Sequence, residues 1–287
     1  MATVTSRPPG LRGYDARWYD STGTALVGPD GSTLFYPVRS TGSTGIFSAG
    51  PGALGVVGTG INMGIGYNAL AANVLRSGNT AIGHRVLEVF VGPGADNTGV
   101  GVNVLRSLVS GVGNTAVGYR SQELNVDAGN NTSFGDSTLY RVTGAGVGNT
   151  AVGYVAAEEL TTGAYNVAVG AGALKTAVTA ASNTAVGHSA MEFAGAAVTS
   201  NTAVGKEALY GVTGVDNTAI GSQALRSQLG AHYNTAIGVE AGFSITTGGG
   251  NTFIGQGAGA GAQLATAASS IAIGRLAITT KSNQCVI

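Results

Sequence analysis

The sequence predicts an all-β parallel solenoid, a rod of about thirteen coils with 16–19 residues in each. Three observations lead there. The pentapeptide NTAVG and its variants recur at near-constant spacing along most of the chain. Glycine closes every copy and follows a β-branched residue in nearly all of them. The octapeptide VGNTAVGY occurs twice, at Val112–Tyr119 and Val147–Tyr154, which is two repeats apart.

The copies begin at Asn62, Asn79, Asn97, Asn114, Asn131, Asn149, Asn166, Asn183, Asn201, Asn217, Asn234 and Asn251, and a thirteenth begins at Ser270 as SIAIG. Stacked coils place each residue above its equivalent. Asn79, Asn97, Asn114, Asn131, Asn149, Asn183 and Asn201 are therefore expected to form rungs of a side-chain amide ladder. The closing glycine is invariant, with Gly83, Gly118, Gly153 and Gly187 as examples. That strictness implies positive φ or no room for a Cβ between coils. Val or Ile precedes it in twelve copies and Phe134 in the other, as suits a pleated strand. Ala dominates the column between Thr and Val/Ile, with Gly64, Gly99, Ser133 and Phe253 as exceptions. A strand of about five residues thus opens each repeat. Thr follows Asn in ten copies, and the replacements Met63, Val167 and Ile271 are apolar. This column shares strand parity with Val/Ile, so both are expected to face the core. That placement sets aside a flat, exposed threonine array of the kind that binds ice.

The second half of each unit carries Ala in nine copies and then Leu in seven, with Met191 and Ile278 in the same slot. A Gly- and Thr-rich turn follows. Two short strands and two turns are expected per 17 residues. Helix is excluded by the recurrent glycine and β-branched residues. At about 4.8 Å between paired strands, thirteen coils make a rod roughly 60 Å long. So thin a rod encloses little volume. Packing of its Ala face against further copies of the chain is expected.

Composition bounds the function. The 287 residues include 49 glycines, and 14 basic side chains balance 14 acidic ones. A neutral chain lacks the basic surface that nucleic acid or an anionic membrane requires. No run of 18 apolar residues suggests a membrane span, and the opening MATVTSRPPGLRGYDARWYD has no apolar core of a secretory signal. Cys285 is the single cysteine, and His84, His188 and His232 are too far apart for ligand spacing. Asp96, Asp127, Asp136 and Asp216 mark no regular calcium column. No phosphate-binding or nucleophile-elbow motif occurs, and the adjacent Glu158 and Glu159 read as a solvated turn. Neither enzymatic activity nor a metal or cofactor is expected.

Residues 1–44 carry no repeat, residues 45–61 lead into the first coil, and residues 62–287 form the repeat domain. The first segment holds Tyr14, Trp18 and Tyr19 beside Arg12 and Arg17, a mixture that suits an interface. It reads either as a docking element or as a cap for the first coil. Within it, ALVGPDGSTLFY reads as a hairpin turning at GPDG. The residue after the invariant glycine varies widely, with Tyr67, Tyr119, Tyr154 and His188 among its occupants. Such a corner is exposed. Its aromatic rings are candidates for contact with a sugar.

SIAIG at Ser270–Gly274 and the repeated NTAVG resemble the head repeats of YadA-type trimeric autotransporter adhesins, across about residues 62–278. The resemblance implies a left-handed parallel β-roll, assembled as a homotrimer, with the Val/Ile column pointing inward. The closing AITTKSNQCVI is similar to segments that precede an endosialidase-type intramolecular chaperone in bacteriophage tail fibres and spikes. By that likeness the chain is expected to be a structural fibre or spike protein at a virion surface. It would dock to a capsid or tail protein through residues 1–44 and attach to a host polysaccharide or receptor. A bacterial surface adhesin of the autotransporter type is the alternative, and a glycan-degrading spike enzyme the alternative of another class.

Overall fold

The computed structural model describes residues 61–72, 77–261 and 266–287, together with Ala53 and the strands Leu26–Val27, Thr33–Phe35 and Ile46–Ala49. Among the described residues there is no helix. The strands Leu26–Val27 (β1) and Thr33–Phe35 (β2) pair antiparallel with an irregularity between Leu26 and Val27, which is the hairpin read from ALVGPDGSTLFY. Tyr14, Trp18, Tyr19, Arg12 and Arg17, named as docking candidates, lie outside the described residues.

Fifteen strands, from Ile46–Ala49 (β3) to Cys285–Val286 (β17), form one parallel sheet in strict sequence order. Each coil adds one strand on top of the last. The register is the one the repeat dictates. Thr115 of Thr115–Tyr119 (β7) lies over Thr132 of Thr132–Phe134 (β8), with Ala116 over Ser133 and Val117 over Phe134. The sheet extends one rung past the thirteen copies at each end. Ile46 pairs with Asn62, and Ile271 pairs with Cys285. Neither IFSAG nor QCVI carries the Asn-Thr signature, so the sequence pattern conceals both.

The second half of the coil differs from expectation. No second strand forms. The residues on either side of the seventh position after the asparagine take positive φ in coil after coil, as at Arg85 and Leu87 about Val86, Arg120 and Gln122 about Ser121, and Glu207 and Leu209 about Ala208. All seven leucines of that column do so, with φ between 47° and 54°. Left-handed backbone costs an L-residue about 1–2 kcal/mol, and the fold supplies the compensation. Leu87 N–H donates to Val104 O at 3.1 Å in the next coil and Arg85 N–H to Tyr67 O at 2.8 Å in the previous one. The leucine side chains are fully buried. Alternating φ therefore gives a compact wall bonded to both neighbours in place of an extended strand. Ile278, in the last coil, stays exposed.

The faces of the strand are reversed relative to expectation. The Ala column points inward: Ala81, Ala116, Ala151, Ala185, Ala219 and Ala236 are fully buried. The Thr and Val/Ile columns share one face, as parity requires, but that face is the outer one. Ile220 and Ile237 are each 40% exposed and Phe134 is 42% exposed. The reason is space. The inner face of the strand meets the opposite wall of its coil, and at Gly99, where Val86 and Val104 stand in that wall in place of the usual alanine, even a methyl would come within 2.5 Å of Val86 Cγ1. A strand valine cannot fit there, so the small residue goes in and the branched one out. Phe253 shows the same rule by exception. It occupies the inward slot because the leucine position is Gly242 in its own neighbour and Gly259 in its own coil, and a Cβ at Gly242 would meet the Phe253 ring at 2.9 Å.

Candidate functional site

The asparagines lie inside the corner where each strand begins, and each is buried. From Asn79 to Ser270, twelve successive backbone N–H groups donate to Oδ1 of the asparagine one coil earlier, at 2.8–3.1 Å. The amide nitrogens complete the ladder. Asn149 Nδ2 donates to Asn131 Oδ1 at 3.1 Å and to Gly163 O at 2.9 Å. Every rung thus satisfies buried backbone groups of its own coil and of its neighbours. Asn79, Asn97, Asn114, Asn131, Asn149, Asn183 and Asn201 serve structure, with no polar atom turned to solvent chemistry. The glycines that end the strands have φ near 130°, as at Gly83, Gly118, Gly153 and Gly187. A Cβ on Gly153 would sit 2.7 Å from the Gly170 carbonyl carbon. Both reasons inferred for the invariance hold at once.

What remains for function is the outer surface. One feature of it is the strand face, where a column of Thr runs along the sheet beside a column of Val/Ile. The tyrosines border it. Tyr67, Tyr119 and Tyr154 follow the invariant glycine at one edge, while Tyr165 and Tyr233 precede the asparagine at the other, and all are exposed. Tyr67 stacks on His84 of the next coil, with ring centroids 5.1 Å apart and planes 14° from parallel. His188 is exposed at the same corner. The corner residues thus rim an apolar strip of branched side chains. Aromatic side chains, such as those beside this strip, are enriched at protein interfaces.

The second wall carries charge. Glu88 accepts from Arg85 and Arg106, each at 3.0 Å, and Asn68 joins it at 3.0 Å. Arg106 continues to Glu123 at 3.4 Å, and Arg120 reaches Glu123 at 2.6 Å. Arg120 also donates to the Tyr140 hydroxyl and lies 4.5 Å over that ring. Further along, Glu207 holds Arg226 at 2.7 Å and Gln223 at 3.0 Å, while Arg226 covers Tyr210. These groups bind one coil to the next. Glu158 and Glu159 pair separately, with Lys175 at 3.9 Å and Arg141 at 3.1 Å, and do not converge on a common point. Among the described residues no group of three or more His, Cys, Asp or Glu side chains is arranged to hold a metal ion. Among them, too, no helix is long and apolar enough to cross a membrane.

Fold and surface together define a parallel β-solenoid protein whose outward strand face carries the Thr and Val/Ile columns. No family model and no curated protein matches the chain. The assignment to a class therefore rests on the coils themselves.

Proposed function

We propose that this chain is the shaft of a homotrimeric fibre or spike of a bacteriophage or phage-like particle, with a structural role and attachment to a host-surface glycan or receptor. The observation that carries the reading is the outward Thr and Val/Ile face, a continuous partly exposed apolar strip along the sheet. Contiguous exposed apolar surface on a soluble protein marks a site of interaction with another molecule. Further copies of the chain match it coil for coil, because every copy repeats the same spacing. This replaces the Ala face, which is consumed inside the coil, as the contact surface. The tyrosine border then belongs to the contact between copies, and recognition of a host falls to the other walls and the ends.

Mass measurement of the intact assembly in native buffer tests the reading, with three chains per particle expected. A stable monomer would remove its basis. The outward direction of the threonines also revives the ice-binding alternative, although the branched apolar column and the tyrosines favour protein as the occupant. A monomer that arrests ice growth would establish that alternative instead. Antibodies against the chain should decorate projecting fibres of virus-like particles. Decoration of bacterial cells alone would support an adhesin. Release of reducing ends from host polysaccharide would require a catalytic role.

A further inference from the structure

One level of the solenoid interior is polar. Between the coils of Asn114 and Asn131, inward positions that in most other coils carry Ala or Leu are taken by Ser121, Gln122, Ser133 and Thr138, with Asn125 beside them, and all five are fully buried. Ser121 Oγ lies 2.6 Å from Ser133 Oγ and 2.9 Å from Thr138 Oγ1. Gln122 Nε2 donates to Ser133 Oγ at 2.9 Å, and Gln122 Oε1 accepts from Asn125 Nδ2 at 3.0 Å. Asn125 closes the group on the backbone, accepting from Ala128 N–H at 2.9 Å. The apolar interior is divided at this level. One buried cluster runs from Ala69 to Ala116 and the other from Ala128 to Ala272.

The belt sits between the two copies of VGNTAVGY. The strand Thr150–Val152 (β9) repeats the Thr-Ala-Val of β7. The coil of Asn114 can therefore stack on that of Asn149, with residues 131–148 looped out, and form an equivalent strand pair. Gly-rich parallel strands specify register weakly, so the strands themselves offer little resistance to this slip. The inward groups do resist it. In the native stack Ser121 meets Ser133 and Thr138. In the slipped stack the equivalent positions are Ala151 and Ala156, and Gln122 likewise exchanges Ser133 for Ala151. Buried hydroxyl and amide groups would then lose their partners, which is unfavourable in a low-dielectric interior.

We propose that this buried polar belt is a register lock, selecting the stacking of coil 114 on coil 131 over the slip that the duplicated octapeptide invites. Its function is specificity in folding, and it adds no net stability over an apolar level. Buried polar groups retained for register are the best attested use of such costly interactions.

The test is a four-fold variant of the full chain, Ser121→Ala, Gln122→Leu, Ser133→Ala and Thr138→Ala, which installs the prevailing residues and leaves Asn125 with its Ala128 bonds. Parent and variant are unfolded in denaturant, refolded, and followed by hydrogen-exchange mass spectrometry across residues 131–148. The parent should give one protected population. The variant should retain a thermal midpoint at least equal to the parent's. Its unprotected population over residues 131–148 should increase on the order of tenfold or more. A single protected population matching the parent would overturn the proposal. Loss of the solenoid would overturn it too, since the belt would then be needed for stability rather than for register.

Discussion

Replacing Asn149 with alanine isolates what one rung contributes. Asn149 is buried, and its Oδ1 accepts from Asn166 N–H at 2.9 Å and from Asn166 Nδ2 at 3.0 Å. Its Nδ2 donates to Gly163 O at 2.9 Å. In Asn149→Ala the neighbouring amide of Asn166 keeps Ala180 O, at 2.7 Å. Asn131 Oδ1 keeps the backbone N–H of residue 149, at 2.8 Å. Two buried backbone groups are left without these partners, Asn166 N–H and Gly163 O. At about 1–3 kcal/mol for each stranded group, the substitution should destabilise the solenoid by roughly 2–6 kcal/mol. Ser270 shows that a hydroxyl can stand in the column, where its Oγ accepts from Gln284 N–H at 3.4 Å. Asn149→Ser should therefore recover part of the loss. A solenoid unfolds as coupled repeats and not strictly as two states. The Asn166 amide exchange rate is thus the direct readout, beside the denaturation midpoint. An Ala variant within about 0.5 kcal/mol of the parent, or with Asn166 exchange unchanged, would refute the ladder as a source of stability.

Other substitutions probe the walls separately. Gly118→Ala places a methyl against the Gly135 carbonyl in backbone with φ of 133°, and should cost roughly 3 kcal/mol or more, read as a lowered thermal midpoint. Gly274→Ala, whose nearest neighbour is Ala277 Cβ at 3.9 Å, should lose only the backbone component, about 1–3 kcal/mol. Enlarging the inward column by Ala185→Val should destabilise by about 1–3 kcal/mol in the same assay. Val204→Asp with Ile220→Asp, on the outward face, should leave β-sheet circular dichroism intact while lowering the assembly mass measured in solution.

Acid should weaken the charged wall. Burial pushes the Glu88 carboxyl up, but hydrogen bonds from Arg106, Arg85 and Asn68 outweigh it and hold the group below its ordinary value of 4.5. Hydrogen bonds from Arg226 and Gln223 do the same for Glu207. A carboxylate depressed in the folded state binds fewer protons folded than unfolded. Its contribution is therefore complete above 4.5 and is lost as pH falls from there through the folded value. Thermal midpoints measured against pH should fall in that window, and less steeply in a variant with Glu88→Gln and Glu207→Gln.

Much of the fold was legible because stacking makes sequence period and spatial register the same thing. Asn above Asn and Gly above Gly follow from spacing alone, as does the shared face of Thr80 and Ile82. Strand parity could not say which face closes inward. That depends on the wall opposite, where buried Val86 and Val104 crowd the inward slot and leave room only for a hydrogen at Gly99. The second wall was misread for a related reason. Left-handed backbone at Leu87 or Leu139 is unfavourable locally, and only bonds to the adjacent coils make it stable. The added rungs at Ile46–Ala49 and Cys285–Val286 lack the signature residues and are defined by pairing. The amino-acid sequence by itself thus determined the coil, its period and its neighbours. The closed cross-section decided what lies inside, because interior volume belongs to the whole coil and to no residue alone.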